Sequence, residues 1–190
     1  MNNQSAKDKK LREIEDLNKR FSNKTTHEIL QWFLKNYQGK ITFSSSMGAE
    51  DQVLTEVIAG IDKSAKIFTL YSCRLFQETY DLIQLTESRY KIKVQVYFPE
   101  RERVEEMVNS KGVNLFYESI ENRKLCCHIR KIEPLRRALE GMEIWITGLR
   151  REQSVTRTEM QLVEWDEGNK IIKLNPLINW SEEDVWDYIE

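Results

Sequence analysis

Histidine and cysteine are scarce in this sequence, and each shortage removes a class of function. The two histidines, His27 and His128, have no metal-ligand spacing to each other. The cysteines are Cys73, Cys126 and Cys127, an odd count that argues against a framework of paired disulfides. Metal binding or redox chemistry is the sharper use for them. No apolar run approaches the ~18 residues a membrane span needs. Met1 to Arg20 is polar and lacks the apolar core of a signal peptide, so a cytoplasmic setting is expected and a membrane is not. Charge of either sign is also missing as an excess: 29 Lys and Arg stand against 31 Asp and Glu, a net −2. Nothing there recruits nucleic acid or an anionic surface. Internal repeats, low-complexity tracts and linker-like stretches are absent too, so no second domain is expected.

What is present fits one soluble α/β domain. Apolar positions at helical spacing (Leu11, Ile14, Leu17, Phe21) predict a short first helix after a frayed residue 1–10 segment. Thr25 and Glu28 have capping-box spacing for a second helix ended by Gly39. Strands are predicted over 40–44, 66–71, 93–98 and 143–147, with a final pair at 162–165 and 170–174. Helices are predicted over 53–58 (closed by Gly60), 77–90 (Tyr80, Ile83 and Leu85 inward) and 101–110. Another is predicted over 126–139, with Pro134 as a kink or a new first turn. Residues 112–124 read as irregular. Ser181 and Asp184 cap a last helix, and Glu190 falls inside its pattern, so the chain reads as cut there. Alternating strands and helices predict a mainly parallel sheet, with ligands at the C-terminal strand ends.

Three clusters fall at those ends. Ile41 to Asp51 runs from an apolar strand through Ser44, Ser45, Ser46 and Gly48 into a helix start carrying Glu50 and Asp51. Backbone amides, hydroxyls and a helix N-terminus suit a phosphate or sulfate, and an ordinary capped helix is the plainer reading. No lysine lies in the loop, so it is not a Walker loop. Ser72-Cys73-Arg74 follows the second strand. Arg150-Arg151-Glu152-Gln153-Ser154, with Arg157, follows another; guanidinium forks suit sulfate or phosphate, and salt bridges to Glu152 and Glu159 are the alternative. Cys126-Cys127 can aim two thiolates at one cluster edge, or be two buried small hydrophobes. Arg130 and Lys131 within a turn of them either pair with thiolate or anionic substrate, or form a solvated basic face. His128 reads as a donor to Cys127's surroundings or as a surface residue.

Together these motifs, with Arg74-Leu75-Phe76-Gln77-Glu78-Thr79-Tyr80, Cys126 to Leu135, Thr147 to Ser154 and Asn175 to Trp186, resemble the sulfonucleotide reductases of assimilatory sulfate reduction. The resemblance runs from about Thr26 to the end. The tandem cysteine resembles the iron–sulfur branch, the adenylyl-sulfate reductases. It implies a Rossmann-like fold of the adenine nucleotide α-hydrolase kind, a mainly parallel sheet with helices on both faces. Residues 1–24 then form a charged helix or arm, and residues 25–190 a sulfonucleotide-binding reductase domain incomplete at its C-terminus. It implies adenosine 5′-phosphosulfate as substrate, sulfite and AMP as products, and thioredoxin or a similar thiol donor. A homo-oligomer is compatible with it. It implies a [4Fe–4S] cluster, with Cys126 and Cys127 as two of its four ligands. Ser44, Ser45, Ser46, Gly48, Glu50, Asp51, Arg74, Arg150 and Arg151 become substrate-binding residues, and Lys131 gives electrostatic support. The nucleophilic cysteine and a later Cys-x-x-Cys are expected beyond Glu190, so this chain alone is expected to be inactive. Tyr71-Ser72-Cys73 departs from the family's usual Asp-Thr-Gly. A reductase for the 3′-phosphorylated substrate and a non-catalytic nucleotide-binding module are the competing readings.

Overall fold

The computed structural model describes residues 2–154 and 159–190, with side chains from residue 7 onward. The chain divides into two units: Met1–Ile67 with Gly141–Glu190, and Phe68–Glu140.

The first unit contains helices α1 (Asn2–Phe21), α2 (Thr26–Asn36), α3 (Ala49–Ile61) and α8 (Glu182–Ile189). Its strands are β1 (Ile41–Ser44), β4 (Ile144–Ile146), β5 (Val163–Asp166) and β6 (Ile171–Leu174). They lie in the order β1-β4-β6-β5. β1 and β4 are parallel with Ile41 opposite Ile144, β4 and β6 are parallel with Ile144 opposite Ile172, and β5 joins antiparallel. Phe43, Ile144, Ile146, Ile172 and Leu174 are fully buried, as near-continuous apolar runs in parallel strands should be. The fold class is the expected mixed α/β type with a mostly parallel sheet. The Thr25–Glu28 capping box and the Ser181–Asp184 capping box both form.

α1 starts at Asn2, so the expected fraying of residues 1–10 is not what the backbone shows. Its first half holds no glycine or proline to interrupt a helix. Asn18 ties α1 to β5: its Nδ2 donates to the Val163 carbonyl at 2.9 Å, and the Val163 N–H donates back to Oδ1 at 3.0 Å. Ile14, Leu17 and Phe21 face inward, but Leu11 is exposed. Gly39 is left-handed at φ +78° and lies past the end of α2, whose C-cap is Tyr37. α3 begins at Ala49 rather than Val53 and carries Gly60 within it. The helix opens as soon as Gly48 caps it, because Glu50 and Asp51 suit its positive first turn.

The second unit contains β2 (Lys66–Leu70, entering from the first), α4 (Gln77–Tyr90), β3 (Val94–Tyr97) and α5 (Arg101–Lys111). A 3₁₀ turn (Leu115–Tyr117) leads to α6 (Ile120–Cys127), a π turn (His128–Ile132) and α7 (Glu133–Leu139). The segment expected to be irregular is thus largely helical from Ile120, started by the Ser119 side-chain cap on Asn122. In α4 the shielded stripe is Thr79, Tyr80, Ile83, Thr86 and Tyr90. Leu85 is exposed, because two residues past Ile83 places it on the far side of the helix. Pro134 sits in the first turn of α7, where its missing N–H costs no hydrogen bond, and the wide turn before it closes through Glu133 N–H to the His128 carbonyl.

Candidate functional site

In the first unit, β1 delivers the chain into Ser45-Ser46-Met47-Gly48, with Met47 left-handed at φ +67°. The loop closes on its own carboxylate. Asp51 Oδ2 accepts from the Ser46 N–H at 2.5 Å and the Ser46 hydroxyl at 2.7 Å. The Gly48 N–H also bonds this carboxyl. The Met47 N–H donates to Ser45 Oγ at 3.1 Å. The amides expected to face an anion are therefore engaged within the loop, those of Ser46 and Gly48 by the Asp51 carboxyl and that of Met47 by Ser45. Burial pushes the Asp51 carboxyl above its ordinary value, helped by the nearby Glu50 charge, and outweighs the Ser46 and Gly48 hydrogen bonds. Ser44 Oγ accepts from Trp145 Nε1 at 2.8 Å. Gly148 permits this packing: a Cβ there would collide with Asp51 Oδ1. The sequence marked Gly148 only as part of the Thr147 to Ser154 motif and gave it no role of its own. No local pattern signals that a carboxylate from residue 51 rests on it.

The two adjacent arginines diverge. Arg150, 6% exposed, donates from Nε to Glu50 Oε1 at 2.8 Å, and Gln153 Nε2 donates to the same oxygen at 2.9 Å. Burial raises the Glu50 carboxyl, but its own backbone N–H, Arg150 and Gln153 together hold it below its ordinary value. Glu152 is only a longer contact of Arg150, at 3.7 Å, so the salt bridge foreseen from sequence had a different main partner. Arg151 turns the other way. Its Nη1 donates to Asn179 Oδ1 at 2.6 Å and its Nη2 to the Met160 carbonyl at 2.9 Å. It borders a cavity of about 680 Å³ with Phe21, Lys24, Asn179 and Trp180. Asn175, which the sequence marked only as part of the Asn175 to Trp186 motif and gave no role, is fully buried. It accepts from Thr147 Oγ1 at 2.6 Å and donates to the Gln161 carbonyl and Glu164. Arg157 lies outside the described residues.

In the second unit, Cys73 is exposed and left-handed at φ +61°. Arg74 donates to the Val113 carbonyl at 2.9 Å and Asn114 Oδ1 at 3.1 Å and lies over the Phe116 ring at 4.6 Å. The Tyr80 hydroxyl is pushed up to about 12, first by its hydrogen bond with Tyr71 and then by desolvation and the Tyr71 and Cys73 charges. Cys126 is buried with Met107, Leu115 and Ile129, whereas Cys127 is exposed. Successive helical residues point about 100° apart, so the two thiols face different surroundings. Among the described residues no three His, Cys, Asp or Glu side chains gather to hold a metal. For the pair to hold an iron–sulfur cluster, Cys126 would have to leave this apolar packing and further ligands would have to come from outside the described residues. His128 pairs with Glu133 at 3.3 Å, and Lys131 is exposed. Arg130 is buried and donates to the Ser72 carbonyl at 2.8 Å.

Among the described residues, no helix is long and apolar enough to cross a membrane. The chain is 46% identical over 149 residues to a protein of Allochromatium vinosum named adenosine 5′-phosphosulfate reductase, covering 78% of this chain and 58% of that one. It is 48% identical over 148 residues to a protein of the same name from Neisseria meningitidis serogroup A, covering 77% and 61%. It therefore spans about three fifths of the length of these curated relatives. A crystal structure of phosphoadenylyl-sulfate reductase from Candida auris, in a phosphate complex, superposes with a TM-score of 0.77 at 28% identity, covering 93% of this chain and 83% of that one. Residues 40–190, from the start of β1 through the serine loop, the paired cysteines and the divergent arginines to the last helix, match throughout, and the chain belongs to the phosphoadenosine phosphosulfate reductase domain family.

Proposed function

We propose that this chain is the nucleotide-binding part of an adenylyl-sulfate reductase, an oxidoreductase of assimilatory sulfate reduction that serves cysteine biosynthesis. The observation that carries this reading is the 46–48% identity to proteins named adenosine 5′-phosphosulfate reductase, in a chain that keeps the tandem Cys126-Cys127. The net reaction consumes adenosine 5′-phosphosulfate and two thiols and yields sulfite, AMP and a disulfide. A cysteine thiolate supplied from outside these residues attacks sulfur, the sulfur–oxygen bond to phosphate breaks, and AMP leaves. A second thiol, from thioredoxin or a similar donor, then releases sulfite from the thiosulfonate.

In this reading residues 25–190 form the reductase domain and residues 1–24 its helical arm. The serine loop (Ser44, Ser45, Ser46, Gly48) holds the phosphosulfate, Glu50 and Asp51 organise it, and Arg74, Arg150, Arg151 and Lys131 offset its charge. For the Ser46 amide to meet the substrate, Asp51 must yield the hydrogen bonds it now accepts. Once released, such donors offset the charge that develops on the leaving phosphate. Cys126 and Cys127 are two of the four thiolates of a [4Fe–4S] cluster, and Cys126 has to leave its apolar packing to serve. A cytoplasmic setting and a homo-oligomer accompany the same reading.

Calorimetric titration with adenosine 5′-phosphosulfate, its 3′-phosphorylated form and AMP tests it. The expected order places the first ligand tightest. The likeness to the Candida auris enzyme favours a second reading, reduction of the 3′-phosphorylated nucleotide. A clear preference for that ligand would move the assignment there, and absence of binding to all three would overturn both.

A further inference from the structure

The geometry points to Arg130 as an anion-binding residue of the second unit, one that takes a phosphate or sulfate oxyanion of a nucleotide; the inference rests on the sulfonucleotide reading above. Arg130 is 7% exposed. Its Nη1 donates to the Ser72 carbonyl at 2.8 Å, and its buried Nε has no hydrogen-bond partner among the described residues. Glu133, the nearest carboxylate along the helix, is engaged elsewhere, with Arg103 at 3.2 Å and His128 at 3.3 Å. A guanidinium cannot shed its proton at physiological pH. Burying one against a single neutral carbonyl costs more than that hydrogen bond returns, so the fold keeps a cation whose counter-charge is not supplied by its own described residues.

Its position agrees with that vacancy of charge. Arg130 sits in the π turn, a geometry that re-aims side chains and recurs at functional sites. Ser72 lies just past the C-terminal end of β2, the end at which open α/β sheets bind ligands. The next residue, Cys73, is held left-handed at φ +61°, a conformation that non-glycine residues adopt under constraint. The clamp to Ser72 leaves the Nε edge of the fork for a second acceptor, and an oxyanion fits it in charge and shape.

Arg130→Gln separates binding from mere clamping, because the amide can still donate to Ser72 but carries no charge. Titrations of the full chain with adenosine 5′-phosphosulfate and with uncharged adenosine are compared. The expected result is a loss of about 10–100-fold for the charged nucleotide, with adenosine changed by less than about twofold. Equal losses for both ligands would assign Arg130 a purely structural role, and no loss for either would also overturn the inference. Arg130→Lys covers the case in which the glutamine variant does not fold: a several-fold loss confined to the charged nucleotide supports the inference, and parallel losses refute it. An unmutated chain that binds neither ligand removes the sulfonucleotide reading and this inference with it; normal binding by the unmutated chain and by Arg130→Gln removes the inference alone.

Discussion

Arg150 in the first unit and Arg130 in the second are both more than nine-tenths buried, and they solve the problem of a buried cation in opposite ways. Arg150 has a carboxylate, Glu50, at 2.8 Å, with Gln153 sharing the same oxygen. Arg130 has one carbonyl and an idle Nε. The serine loop beside Arg150 is similarly closed, its amides held by Asp51. The Arg150–Glu50 pair carries its own counter-charge without ligand, whereas Arg130, like Arg151 with its equally unpartnered buried Nε, meets no carboxylate among its described partners. Burial alone therefore does not tell a structural arginine from a binding one; the presence of a counter-charge does.

The largest expected effect breaks the charge-matched pair. Arg150→Met strands Glu50, a mostly buried carboxylate, and should cost about 3–5 kcal/mol of stability in denaturant unfolding. Arg130→Met strands no carboxylate, so its cost should be under about 1 kcal/mol, or it should stabilise. Equal destabilisation by both substitutions would erase the distinction.

Gly148→Ala comes next, at about 1–3 kcal/mol from overpacking, since its Cβ meets Asp51. Combined with Asp51→Ala, the penalty should shrink, and strict additivity in the double-mutant cycle would show that the contact does not matter.

A smaller effect is read in pH. Burial raises the Asp51 carboxyl above its ordinary 3.8, so the fold favours the neutral acid. The stability this contributes is fully present below the ordinary value and is lost as pH rises through the raised one. Asp51→Asn has no such loss. Its unfolding free energy relative to the parent chain should therefore improve with rising pH across that interval, and a pH-independent difference would contradict the assignment.

Arg74 gives the smallest change in stability. It is exposed, and its bonds to Val113 and Asn114 are at the surface, so Arg74→Ala should shift stability by less than about 0.5 kcal/mol. If it also serves the substrate, nucleotide binding should fall while the melting temperature hardly moves.

Much of this was legible in the chain itself. The alternation of strands and helices, the capping boxes at Thr25 and Ser181, the 77–90 helix and the final strand pair all follow from local chemistry, where a residue's neighbours in sequence are its partners. Leu85 failed as an inward residue because apolarity was read without its angular position. The 112–124 segment failed because one serine cap and one short helix carry little periodicity. At the site, the serine loop, the arginine pair and the cysteines were visible as residue types at strand ends, but their pairings were not.

The sequence by itself determined the α/β alternation, the family and the polar residues that cluster after strands, because periodicity, caps and motif spacing are local. Tertiary structure alone decided that Asp51 fills the serine loop across Gly148, that Arg150 and Arg151 part company, that Cys126 and Cys127 face different surroundings, and that Arg130 is buried without a carboxylate. Each of those depends on which distant side chain comes within about 3 Å and on how much water is left around it, and neither quantity is carried by any stretch of neighbouring residues.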